Sequence, residues 1–185
     1  MAGKTPRQAV ENFLGPLQQA RSCVTRSVLV ASPGGYDHIA GLHAVTFGDG
    51  GPARLQGNTN LWLVVRQHYR IVEAPGPGGP WKVSTAGYLY SLRDSEDRDV
   101  ISYHWHPTGR SDVTFPHLHL GAGARVGHSY LANAHLPVGR IALEDMLRLA
   151  IKDLDVTPLR ADWAEVLDST QAAYEEWRTW AGSGP

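Results

Sequence analysis

Between Val24 and Leu120 no apolar stripe at helical spacing interrupts the chain, and that stretch decides the architecture. Six runs, Val24–Ala31, Tyr36–Phe47, Asn60–Val72, Trp81–Leu92, Val100–His106 and Phe115–Leu120, are rich in β-branched and aromatic residues. The segments between them are turn formers: Ser32-Pro33-Gly34-Gly35, Gly48–Pro52, Ala74–Pro80 and Pro107–Asp112. Strands that follow one another through short links, with no crossover helix, pair antiparallel. About six strands in a meander over 24–120 are expected. Pro75–Pro80 reads as a rigid hairpin loop rather than an interdomain linker, because it is short and flanked by strand-like runs.

Helical spacing appears on either side of this region. Over 6–22, Val10, Phe13, Leu14 and Leu17 recur at three- and four-residue steps, and Thr5 before Pro6 is a start signal. Gly15-Pro16 predicts a kink or a break in that helix. Over 141–181, Leu143, Met146, Leu147, Ala150, Ile151 and Leu154 oppose Glu144, Asp145, Arg148, Lys152 and Asp153. A further helix is expected to begin near Asp162, where Asp162–Glu165 has the pattern of a capping box. Its apolar side runs through Trp163, Val166, Leu167, Tyr174, Trp177 and Ala181, which suits packing against a sheet. Trp177 and Trp180 near its end are an alternative surface for a protein partner. The expectation is a single α+β domain over 1–185, with one N-terminal and two C-terminal helices packed on one face of the sheet.

With 185 residues, 42% of them apolar, such a domain buries about 70% of its unfolded surface and needs no covalent staple to fold. Cys23 is the only cysteine, which excludes an internal disulfide and a cysteine-based zinc cluster and fits a reducing, cytoplasmic compartment. The N-terminal residues lack the apolar core of a signal peptide, and Leu61–Val65 is too short to cross a bilayer. Seventeen basic and 18 acidic residues give a net charge of −1, without the positive excess of a protein that neutralises nucleic-acid phosphates nonspecifically. Nine histidines are the outlier.

Four of them form two pairs, His104-Trp105-His106 and His117-Leu118-His119. Strand alternation puts Ile101, Tyr103 and Trp105 on one face and Ser102, His104 and His106 on the other. Across the turn, Leu118 and Leu120 share a face opposite His117 and His119. Pairing the two strands therefore gathers four imidazoles on a polar face, at roughly 6.5–7 Å along a strand and about 4.5–5.5 Å across strands. Crowded imidazoles depress one another's pKa or recruit an anion or a metal. His38, His43, His68, His128 and His135 stand alone and read as ordinary polar surface residues.

Three chemistries fit His104, His106, His117 and His119. Neutral imidazoles can ligate a divalent transition metal such as zinc. One histidine can act as base and another as acid in metal-independent RNA cleavage, with Arg110 or Arg125 binding the phosphate. A polar groove can simply bind a partner. A histidine-triad hydrolase would need a third histidine at position 121, which is Gly121.

The run Tyr103-His104-Trp105, then Phe115-Pro116-His117-Leu118-His119, then a helix opening at Leu143-Glu144-Asp145-Met146-Leu147 resembles the TumE-type toxins of bacterial toxin–antitoxin modules. The resemblance covers roughly Tyr88 to Leu154, about a third of the chain. It carries over Tyr103, His104, Trp105, Pro116, His117 and His119. Between the two strands the family has an Arg-Trp-Asp-Asn-Ala-Pro-His-like stretch. Here Pro107–Thr114 keeps a basic residue but not the Asp-Asn or the added histidine. The resemblance implies a toxin-like protein restrained by an antitoxin partner and acting on RNA or a nucleotide. The alternatives are a non-catalytic protein-interaction module and a histidine-ligated metalloenzyme; independently, an exposed strand edge allows a homodimer.

Overall fold

The structure, a computed structural model, describes residues 2–57, 59–108, 111–128, 130–131 and 134–177. Among the described residues nine antiparallel strands form one sheet: β1 (Ala2–Gly3), β2 (Leu29–Ala31), β3 (His43–Phe47), β4 (Ala53–Arg54), β5 (Trp62–Gly76), β6 (Gly79–Arg93), β7 (Asp99–Trp105), β8 (His117–Leu120) and β9 (Leu136–Pro137). The main order is β2-β3-β5-β6-β7-β8-β9, with β1 against β6 and β4 against β5. The expected meander is present. Its six strands are joined by β1, β4 and β9, each of two residues, too short for periodicity to announce. Pro77 and Gly78 form the tip of the β5–β6 hairpin, where Gly78 and Gly79 take φ of 93° and 132°, backbone that glycine adopts without strain.

One bulge sets the faces of this hairpin. His68 lies opposite Gly87, but Tyr69 lies opposite Thr85, so Ala86 is the extra residue. It allows Val83 and Thr85 before it, and Tyr88, Tyr90 and Leu92 after it, to point the same way. Tyr69, Tyr88, Tyr90 and Leu63 are almost fully buried there, beneath α1 (Pro6–Arg21), α2 (Leu143–Asp153) and α3 (Trp163–Trp177). Tyr88 and Tyr90 stack at 4.9 Å, and Trp105 tilts onto Tyr88 at 5.9 Å. Arg140 covers the Trp105 ring at 3.7 Å, a cation–π contact on the edge of the core.

The helices correct the sequence in detail. α1 runs unbroken from Pro6 to Arg21 with Pro16 inside it; burial of Val10, Phe13, Leu14 and Leu17 on one side outweighs the missing hydrogen bond. Thr5 caps it, accepting from the Gln8 amide at 3.1 Å. Asp162 is not seen as a box partner of Glu165; its carboxylate pairs with Arg160 at 2.6 Å. α2 is the helix with half of such a box, the Ala142 amide donating to Asp145 at 2.8 Å. The Trp177 side chain and Trp180 lie outside the described residues. No described helix is long and apolar enough to cross a membrane.

Candidate functional site

On the sheet face away from the helices, register turns alternation into a grid, because residues directly opposite each other share a face. One row runs Arg66, Leu89, His104, His117, Pro137 across five strands. The next runs Val64, Ser91, Ser102, His119. Since His117 pairs with Pro137 and Leu118 with Leu136, the same register brings His135 to His119, and their ring centroids are 4.5 Å apart. A third row begins with His68 opposite Gly87, and His106 follows the last residue of β7 on that side.

The expected clustering of His104, His106, His117 and His119 is therefore present, with a tight centre and a looser margin. His104 lies 4.8 Å from His119 and 5.4 Å from His117, centroid to centroid, and His117 lies 4.9 Å from His119. His106 adjoins His104 at 5.6 Å. One ring nitrogen from each of His104, His117 and His119 falls within 4.8 Å of the other two. His117 is buried, His104 and His119 are half-buried, and His135 is exposed.

Backbone carbonyls aim these rings. His117 donates from Nδ1 to the Phe115 carbonyl at 2.9 Å, which fixes a tautomer with a free lone pair on Nε2. The His119 ring is hydrogen-bonded to the Ala134 backbone. His104 Nε2 is buried and has no hydrogen-bond partner among the described residues. An orphaned buried nitrogen costs about 1–3 kcal/mol, and a cation beside it would remove that cost. Ligands of a tetrahedral ion at metal–nitrogen distances of about 2.0–2.1 Å lie roughly 3.3 Å apart. Loading would thus draw the three rings inward by small side-chain rotations.

The electrostatics favour neutral rings. Burial, then His119, His106 and His117, pushes the His104 imidazole down to about 4, against a weaker upward pull from Asp99. Burial and then His117 lower His106. Burial, His135 and His117 lower His119, opposed by Asp99 and the Ala134 hydrogen bond. An imidazole neutral near pH 7 is a metal ligand or a proton acceptor, and it is a poor general acid.

Other expectations fare differently. Arg110 lies outside the described residues. Arg125 ends the 3-10 turn Ala122–Ala124 in left-handed backbone, φ 51°, and is exposed; no hydrogen bond or ion pair joins it to the imidazoles among the described residues. His68 and His135, read from sequence as isolated surface residues, belong to the imidazole face. His43 is buried in the core and donates from Nε2 to the Asp37 carbonyl at 2.7 Å. His38 packs on Trp81 at 4.5 Å. Alternation within β5 could have placed His68 beside Arg66. Nothing local could have placed His135, which depends on pairing with a two-residue strand.

No protein-family model, no curated protein and no solved structure matches the chain.

Proposed function

We propose that the chain is a histidine-ligated metalloprotein of hydrolytic type, in which His104, His117 and His119 hold a divalent transition ion such as zinc. The observation that carries this reading is the convergence of three imidazole nitrogens within 4.8 Å. The orphaned Nε2 of His104 and the carbonyl-fixed tautomer of His117 support it. Three imidazole ligands leave zinc a fourth position for water, the arrangement of catalytic rather than structural zinc, and bound water there ionises near pH 7. The half-buried His119 and exposed His135 put the centre within reach of solvent.

Elemental analysis of untagged protein, after exchange into zinc and removal of excess, is expected to find about one equivalent. His119→Ala removes a half-exposed ligand and should weaken zinc binding on the order of 100-fold or more. His128→Ala, at an exposed position, should leave it unchanged. Wild-type protein that takes up no stoichiometric zinc, cobalt or nickel would end this reading. If that metal-free chain instead cleaves RNA in the presence of chelator and arrests growth when expressed without an antitoxin, the imidazoles act as a toxin's acid and base.

A further inference from the structure

Arg66 stands in the same cross-strand row as His104, with Leu89 between them. Two strand spacings put their Cα atoms roughly 9–10 Å apart, a gap that an extended arginine and a small ligand can bridge. Arg66 is exposed and has no ion pair or hydrogen bond among the described residues. Two residues on, His68 shares its face, and burial, then Arg66 and His106, pushes its imidazole pKa down. Gly87, opposite His68, lets the Trp105 backbone approach closely: a Cβ there would stand 2.8 Å from the Trp105 carbonyl, with Pro107 Cδ at 3.7 Å and His68 Nδ1 at 3.9 Å.

The carboxylate that acts on the central imidazoles is already engaged. Asp99, the carboxylate that acts on His104 and His119, accepts from Arg93 at 3.0 Å and from Ser91 at 2.6 Å. Four exposed acids, Glu165, Asp168, Glu175 and Glu176, lie on α3, which packs with the other helices on the far side of the sheet, while Asp112 is exposed in the segment joining β7 to β8. Arg66 therefore adds a fixed positive charge to a face of imidazoles held neutral by burial and by one another.

We infer that Arg66 and His68 form the second half of a phosphate site, holding a phosphate ester whose other oxygens reach the ion at His104, His117 and His119. The metal contact rests on the reading above; the Arg66 contact does not. Three neutral ligands leave the charge of a dication uncompensated, so an oxyanion suits its open position. A guanidinium fork matches two oxygens at once. A phosphate monoester has three free oxygens, enough for both contacts, whereas a carboxylate or an internal phosphodiester has only two.

The test is calorimetric titration of the full chain, with and without zinc, using inorganic phosphate, a nucleoside 5′-monophosphate, a short single-stranded RNA and acetate. Phosphate should bind the zinc-loaded protein, and acetate should bind at least tenfold more weakly. Arg66→Ala should cost about tenfold or more in phosphate affinity while zinc content stays unchanged. Arg7→Ala, an exposed arginine on α1, should cost nothing. The nucleotide and RNA arms identify the source of the phosphate group: tighter binding than inorganic phosphate in one arm assigns it. Phosphate binding that Arg66→Ala leaves intact, or no phosphate binding to the loaded protein, overturns the subsite. If zinc fails to load, the metal reading falls alone, and the subsite is then judged by the same Arg66→Ala comparison on the zinc-free chain.

Discussion

Glu144 shows how much a single buried side chain can govern. It sits in the first turn of α2 with 1% of its surface exposed, and its Oε1 has no hydrogen-bond partner among the described residues. Burial pushes its carboxyl up; its own amide and Thr170 pull it down, and Asp145 pushes it up while Arg148 opposes. From the packed elements, Tyr90 of β6, Tyr174 of α3 and Cys23 after α1 face the same charge. Because the folded value is raised, native Glu144 prefers its proton. Its contribution is complete below the ordinary glutamate value of about 4.3 and is lost as pH rises through the folded value. Glu144→Gln is neutral at every pH, so it should gain stability over wild type as pH increases from 4 to 8. Urea midpoints across that range measure the difference; a constant gap between the two proteins would refute the assignment.

Among the elements, α1 is the one where local rules and packing disagree. Pro16 removes the amide that would donate to the Asn12 carbonyl, yet the helix continues because its apolar stripe is clamped between sheet and α3. Pro16→Ala should restore that bond and stabilise the fold by about 1–3 kcal/mol, read as a higher urea midpoint; a lower midpoint would mean the ring itself is needed for packing. The same contrast explains what could be read from the chain. Alternation in β7 and β8 fixes the faces of His104, His106, His117 and His119 from neighbouring residues alone, so these were foreseeable. His68 needs the β5–β6–β7 register, including a bulge at Ala86 that no local pattern marks. His135 needs the pairing of β8 with β9 across the intervening segment. Periodicity reports on runs long enough to repeat, and β1, β4 and β9 never repeat.

For the molecule as a whole, ion binding and folding should be linked, because the ligands come from two strands and meet only in the folded sheet. An ion present at 100 times its dissociation constant stabilises by about 2.7 kcal/mol, which for a domain of this size is roughly 5–10 °C in Tm. Calorimetry with zinc and then with chelator should show that rise and its reversal, and an unchanged Tm would deny the linkage. Protection should also spread unevenly. β9, like β1 and β4, is joined to the sheet by only two residue pairs, so it has little to lose by peeling away. His135 sits immediately before it. When this edge frays, one imidazole swings off and the three on the inner strands stay in place. The rim of the imidazole face can therefore loosen without dismantling its centre.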